Sequence, residues 1–503
     1  MHYSHTRLAA LATTVVVAGG IAFAAAAPAT AAIDATVDSY VSSIANSETA
    51  ANYNTWHLSS DPAVSAATVD GAGLELQPGT KGTTVIKGLD TTLDKAGFEA
   101  VLAQGISWTS TSGHANFQIP IYAEGQHFVT IVPMAGVVIG VNQVGDAQQW
   151  AFSRPINGIP AWENHTLSDL LTAAGAYTVL GFGVQDDPGA NATVSSITWG
   201  HQVVHFWNPA VNRVSGSDRF DTSVQVSKNA FPHTAPVVFV ATGTGFADAL
   251  AAAAPAAQLG GPLLLSAPDS LPAIVKAEIQ RLNPSKIYIV GGTGAVSAAV
   301  EKQLDSLAPT VKRLAGSDRF VTARAVIDVA FPSFSKAYVA TGMNFPDALS
   351  AAAAAGAAHI PVLLLNGSLP SVDAATTGFL TSHGANTFTV VGGPGAVSAG
   401  VATGLGPNVT RIQGSDRFET SRLLNADAFK TAKSAYFATG NDFADALSGA
   451  VLAATNGAPL YVVTPACLPA ASKLDLANRG VENDTLIGGT GVLSDAVANL
   501  EGC

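Results

Sequence analysis

The sequence predicts a multidomain protein, an all-β sandwich followed by three α/β modules that each carry a parallel sheet with helices on both faces. Three observations predict it. From residue 213 a block of about 100 residues recurs three times, far longer than a solenoid repeat, so each period is a small domain. Within each block short apolar strands alternate with helical stretches, the rhythm of a doubly wound parallel sheet. Ahead of residue 213 the pattern changes to many short alternating strands punctuated by Gly, Pro, Asn and Asp.

Taken in order, the chain opens with Arg7 and two histidines before an apolar run from Leu8 to Ala27, then Pro28-Ala29-Thr30-Ala31-Ala32. This predicts a secretory signal over residues 1–32, cut near Ala31 or Ala32, with an uncleaved membrane anchor as the alternative. No later stretch qualifies as a span: the most apolar, Phe246 to Leu265, contains Asp248, Pro255 and a Gly260-Gly261 break.

Residues 33–208 read as a jelly-roll-like antiparallel sandwich. Its predicted strands are 73–77, 83–87, 116–122, 127–132, 137–141, 177–184 and 194–199, with one helix over Thr166 to Ala174 that places Leu167, Leu170 and Leu171 on one face. Candidate chemistry is sparse. His201 and His205 lie in strand-like context, where four residues separate them by about 13 Å, too far to share an ion. Asp186-Asp187-Pro188-Gly189 reads as an acidic turn before a calcium loop. Trp108, Trp150, Trp162, Trp199 and Trp207 read as core before a sugar-stacking platform. No catalytic pair, nucleophile arrangement or metal cluster is recognisable, and no ligand is assigned to this domain.

Charge divides the chain. Of a net −12, residues 33–212 carry 15 acidic against 4 basic side chains, and residues 213–503 carry 21 against 19. An acidic front and a near-neutral back indicate two jobs, and neither half suits nucleic acid.

The blocks share their landmarks. Gly-Ser-Asp-Arg-Phe occurs at 216–220, 316–320 and 414–418, each preceded by an arginine (Arg213, Arg313, Arg411) and followed by a threonine (Thr222, Thr322, Thr420). A helix follows, then a strand ending Ala-Thr-Gly, a Phe-x-Asp-Ala-Leu helix start (Phe246, Phe345, Phe443), an alanine-rich helix and a short apolar strand. A further helix leads to a strand closing in Gly-Gly-x-Gly at 291–294, 392–395 and 488–491. Ser217, Ser317 and Ser415 are candidate helix N-caps, and Asp248, Asp347 and Asp445 fall in first helical turns. Gly-Gly-x-Gly lacks the spacing of a dinucleotide fingerprint and no Walker lysine follows, so no cofactor is expected; a strand-to-helix turn can still offer N–H groups to an anion. Three equal copies argue against one assembled active site and for linked weak binding sites. Asp218, Arg219, Asp318, Arg319, Asp416 and Arg417 read as structural joints, an Asp–Arg pair locking repeat to repeat. The two cysteines, Cys467 and Cys503, are expected to pair in an oxidising compartment, the alternative being two reduced buried thiols.

These motifs together closely resemble the type 2 cell-wall-binding (CWB2-type) repeat of bacterial surface proteins, usually a tandem of three. The resemblance covers residues 213–503, as repeats over 213–310, 311–408 and 409–503. It implies Toprim-like or Rossmann-like modules packed as an intramolecular pseudo-trimer that binds an anionic, teichoic-acid-like wall polymer. In that family a Pro-Ile-Leu-Leu segment is implicated in polymer binding. The matching residues are Pro262, Leu263, Leu264 and Leu265; Pro361, Val362, Leu363 and Leu364; and Pro459, Leu460, Tyr461 and Val462. None keeps the isoleucine, and the third departs most. The expectation is a secreted, non-enzymatic protein attached to the wall by its repeats and displaying the sandwich. The alternative is a wall polysaccharide-acting enzyme with the sandwich as its catalytic domain, for which Glu75, Glu99, Glu124 and Glu163 are the carboxylates to inspect.

Overall fold

The structure, a computed structural model, describes residues 37–45, 54–59, 66–77, 82–125, 127–135, 137–188 and 190–503. The signal sequence read over residues 1–32, with its cleavage near Ala31 or Ala32, lies outside the described residues. Among the described residues no helix is long and apolar enough to cross a membrane.

Two sheets form the front region. The larger runs in the order Val37–Val41, Gln202–Phe206, Ala192–Trp199, Leu74–Gln77, Ala66–Val69, with Ile106–Ser112 paired to Ala192–Trp199 and Gly140–Gln143 beyond it. The other runs Gln149–Phe152, His127–Ala135, Ala115–Ala123, Thr178–Asp186, Thr84–Asp94, Trp56–Leu58. Alternation along the strands sends Phe117, Ile119, Val129 and Ile131 from one sheet against Ile106, Trp108, Val194 and Ile197 from the other. Phe182 stacks on Trp199 at 4.4 Å between them. The pairing departs from the expected antiparallel pattern at one edge, where Val37–Val41 runs parallel to Gln202–Phe206. Sequence patterning also overlooked the helix Lys95–Gln104, capped by the Asp94 carboxylate on Gly97 N–H and held by buried Phe98. Of the five tryptophans considered for stacking, Trp108, Trp150, Trp199 and Trp207 are buried, and Trp162 is 57% exposed.

Behind this region lie three four-stranded, wholly parallel sheets. In the first, the order is Leu263–Ser266, Val237–Thr242, Lys286–Val290, Thr310–Leu314. In the second it is Val362–Leu365, Lys336–Thr341, Thr387–Val391, Val409–Ile412, the same 2-1-3-4 order. The third is Leu460–Val463, Ser434–Thr439, Asn483–Ile487 and then Ala210–Val214, which comes from in front of the first repeat. The arginine-bearing strand that opens each sequence repeat therefore completes the sheet of the repeat before it, and Ala210–Val214 closes the ring by pairing in register with Asn483–Ile487.

The alanine-rich helices Ala253–Gln258, Pro346–Ala357 and Ala444–Thr455 pack against one another in a single core that draws on all three repeats. Small side chains let them approach closely: a Cβ on Gly356 would lie 2.6 Å from the Ala454 methyl. The first helix is broken into a 3-10 turn, Ala249–Ala251, and a short α segment, because Pro255 has no N–H to give and crowds the carbonyl four residues back. The front region joins the ring through Trp207, whose indole N–H donates to Val481 O at 2.8 Å and whose ring lies in the third repeat's core.

Candidate functional site

In open parallel sheets, sites form at the carboxyl ends of the strands. Here those ends carry the recurring motifs, and the ring turns them toward each other. Phe246, Phe345 and Phe443 meet as a three-ring cluster with centroids 5.5, 5.9 and 6.0 Å apart. Over each ring lies the motif arginine of the following repeat: Arg319 over Phe246 at 5.6 Å, Arg417 over Phe345 at 6.0 Å and Arg219 over Phe443 at 5.8 Å. Each guanidinium also donates to the glycine carbonyl that ends its own repeat's first strand: Arg219 to Gly243 at 2.8 Å, Arg319 to Gly342 at 2.9 Å and Arg417 to Gly440 at 2.7 Å. Arg219 adds an ion pair to Asp442 at 3.4 Å.

The motif aspartates do something else. Asp218, Asp318 and Asp416 do not bridge repeats; each caps its own helix, Oδ1 accepting from two backbone N–H groups at 2.8–2.9 Å. The cap is thus the aspartate and not Ser217, Ser317 or Ser415, because the extended backbone of the aspartate aims its carboxylate at the orphan N–H groups. The threonines accept from the motif glycines, as Gly216, Gly316 and Gly414 N–H point at Thr222, Thr322 and Thr420 Oγ1 at 3.0–3.1 Å. The leading arginines tie down the glycine turns. Arg213 donates to Gly488 O and Leu493 O, Arg313 to Gly291 O and the Glu301 carboxylate, Arg411 to Gly392 O and Val397 O.

A second set of aspartates reaches the junctions. Asp347 and Asp445 fall in the first turns of their helices, as the sequence indicates, and Asp248 immediately precedes the 3-10 turn; their carboxylates rest on the turns at Gly291, Gly392 and Gly488. Those glycines have φ of 105°, 108° and 117°, and a Cβ there would fall 2.3–2.6 Å from the carboxylate, so no other residue fits. Burial pushes the Asp347 and Asp445 carboxyls up to about 6, against the pull of Arg417 and Arg219 respectively; Asp442 adds to the rise at Asp445. Asp248 is raised in the same way, with Thr322 and Arg319 opposing.

Folded pKa values above the unfolded 3.8 mean that the native state holds the extra protons between about pH 4 and 6. The stabilisation they give is present at low pH and lost as pH rises through about 6. We expect the ring's unfolding free energy to fall over that window, and an Asp347→Asn/Asp445→Asn variant to flatten the slope in denaturant titrations at pH 4.5 and 7.5. An unflattened slope would assign the pH dependence elsewhere.

The twelve residues aligned with the Pro-Ile-Leu-Leu segment sit elsewhere than expected. Pro262, Leu263, Leu264, Leu265, Pro361, Val362, Leu363, Leu364, Pro459, Leu460, Tyr461 and Val462 are all buried. Both faces of a parallel sheet are covered, so these side chains pack into the core. They position the Gly243, Gly342 and Gly440 ends of the neighbouring strands. Cys467 and Cys503 are disulfide-bonded, with Cα atoms 5.3 Å apart. Glu75, Glu99, Glu124 and Glu163 fall on a strand, a helix, a turn and a loop respectively. Among the described residues no group of three or more His, Cys, Asp and Glu is arranged to hold a metal ion.

Three parallel-sheet modules, each joined to the next by an arginine laid over a phenylalanine, define a closed tandem-repeat array. Comparison with known proteins specifies it. The profile of cell wall binding domain 2 (CWB2) matches residues 213–301, 313–402 and 411–498, together just over half of the chain. The chain belongs to the CWB2 family. It is 33% identical over 290 residues to the N-acetylmuramoyl-L-alanine amidase LytC of Bacillus subtilis (strain 168), covering 58% of this chain and 58% of that protein. It is 30% identical over 315 residues to the amidase enhancer of the same organism, covering 62% of this chain and 43% of that one. The chain thus spans about half the length of these relatives. Among solved structures, Cwp8 from Clostridium difficile superposes with a TM-score of 0.53 at 20% identity, over 86% of this chain and 88% of that one. Cwp6 from the same organism gives 0.54 at 22%, over 78% and 68%. The three matches make residues 213–498 a tandem of three CWB2 repeats.

Proposed function

We propose that the ring holds the protein non-covalently on the bacterial wall, that the polymer bound is anionic and teichoic-acid-like, and that the secreted protein displays its acidic sandwich outward. The observation that carries this is the threefold recurrence of a partly exposed arginine at the carboxyl edge of a parallel sheet. Beside each lies a turn whose later glycines, such as Gly292 and Gly294, have open space outside them. The near-neutral charge of the repeats supports an attraction local to these junctions over one from a broad basic field. Three linked weak sites then gain through effective concentration. In this reading residues 33–208 form a jelly-roll-like domain, and the 2-1-3-4 strand order supports Rossmann-like or Toprim-like modules.

Full-length protein should be retained on purified, protein-free walls, release with added salt, and lose retention on walls stripped of anionic polymer. Retention should strengthen as pH falls through about 6, since protonating Asp347 and Asp445 removes negative charge near Arg417 and Arg219 and leaves the junctions more attractive to a polyanion. Arg319→Gln should weaken it several-fold. Undiminished binding to stripped walls, or equal retention of the sandwich alone, would sink the reading. The second reading, a polysaccharide-acting enzyme, is favoured by a groove in the sandwich that contains a buried carboxyl, Asp186, pushed up to about 6 by burial. Release of reducing sugar from wall glycans would establish it.

A further inference from the structure

We propose that the outer face of the six-stranded sheet carries a binding groove for a neutral glycan, with Trp162 as its stacking platform and the Asp186-Asp187 corner as its hydroxyl acceptor. The groove is a cavity of about 560 Å³, within the range of small-molecule sites. Its floor comes from the strands Ala115–Ala123 and His127–Ala135. On these, Asn116, Gln118 and Thr130 alternate with Phe117, Ile119, Val129 and Ile131 of the core, so the polar side chains occupy the opposite face.

Two features of the lining ask for a ligand. Trp162 is 57% exposed and sits at φ 61°, a left-handed conformation that a bulky residue adopts only at a cost. It lines the groove while keeping more than half of its surface exposed. Asp186 is 1% exposed; one carboxylate oxygen accepts from Thr83 N–H, and the other is buried with no hydrogen-bond partner. A buried acceptor left unfilled is costly, and a ligand hydroxyl would fill it. Asp187 holds the Asn116 amide nitrogen at 2.9 Å, which fixes the orientation of that side chain in the groove.

The chemistry selects the class. The lining holds acceptors, amides, hydroxyls and one histidine, His114, but no lysine or arginine, so it does not suit the anionic polymer assigned to the ring. A pyranose offers what it does suit, an apolar C–H face for an indole and hydroxyl edges for carboxylates and amides. Acceptor strength depends on Asp186 being ionised. Its carboxyl is pushed up to about 6 by burial, with Asp187 adding to the rise and the Thr83 hydrogen bond opposing it. Glycan binding should therefore strengthen as pH rises through about 6, opposite to wall retention by the ring.

The test titrates full-length protein with chitotetraose, cellotetraose, maltotetraose and polyglycerol phosphate, read by calorimetry and tryptophan fluorescence. We expect saturable binding of at least one neutral tetrasaccharide and none of polyglycerol phosphate in the groove. Trp162→Ala should weaken that binding about tenfold or more at unchanged melting temperature, and Asp186→Asn should weaken it and remove its pH dependence. Wall retention should be the same in both variants, which separates this site from the ring. Because Trp162 is exposed, its variant keeps the fold even where Asp186→Asn does not. Absence of binding by all three tetrasaccharides, affinity unchanged in Trp162→Ala, or binding that requires added calcium would overturn the proposal.

Discussion

Leucine in place of Gly356 is expected to lower the unfolding free energy of the ring by more than about 3 kcal/mol, and alanine there by about 0–2 kcal/mol. Gly356 lies near the end of the helix Pro346–Ala357, where the three alanine-rich helices cross. A Cβ there would meet the Ala454 methyl at 2.6 Å and the Ala257 methyl at 3.3 Å. Both neighbours are rigid stubs on packed helices, so relief requires moving a helix. Two effects oppose each other in the alanine variant: better helix propensity, worth up to about 1 kcal/mol, and overpacking, which costs about 1–3 kcal/mol. Leucine keeps the propensity gain and adds three heavy atoms where one does not fit, so overpacking wins. Denaturant unfolding of full-length protein checks this. The loss should fall on the ring, leaving the near-ultraviolet signal of the buried Trp108 and Trp150 intact; a leucine variant as stable as the parent would show that the helices have slack.

The repeats were legible because each landmark is a local necessity. Asp318 is followed by a helix because its carboxylate caps it, and Gly392 is glycine because Asp347 rests where its Cβ would be. Sequence periodicity sees both as recurring letters. It does not see which element a strand joins, so the arginine strands were assigned to the repeats they open and not to the sheets they complete. Nor does an apolar run reveal which side is covered. Leu263 to Leu265 could read as a contact surface, but in a parallel sheet helices cover both faces. In the sandwich, Ile106–Ser112 went unnoticed because serines and threonines dilute its alternation, although Ile106, Trp108 and Ser110 are buried. The groove was half visible: Asp186-Asp187 and Trp162 stood out as residue types, but separating Trp162 from four core tryptophans required burial.

A fragment beginning at Ser215 is expected to lose cooperative folding of the third repeat, whereas one beginning at Phe206 should keep it. The difference of nine residues holds the edge strand Ala210–Val214, which pairs along its whole length with Asn483–Ile487. It also holds Arg213, without which the carbonyls of Gly488 and Leu493 lose their donor and the glycine turn beneath Asp445 its tether. Trp207 goes as well. It is 3% exposed, and removing a buried side chain of that size costs about 3–5 kcal/mol before the strand is counted. The sum approaches the whole stability of an ordinary domain, about 5–15 kcal/mol. What remains would expose the strand bearing Asp484, whose carboxyl is raised well above its ordinary value by burial; exposure to water would relieve that burial and oppose refolding of the edge. Adding a synthetic peptide spanning Phe206 to Val214 should restore a cooperative transition and wall retention to the shorter fragment. A shorter fragment that melts like the longer one would mean that the ring does not need its closing strand. Rescue by the peptide would show that the strand acts through pairing, and that a fragment holding an intact third repeat must begin ahead of Ala210.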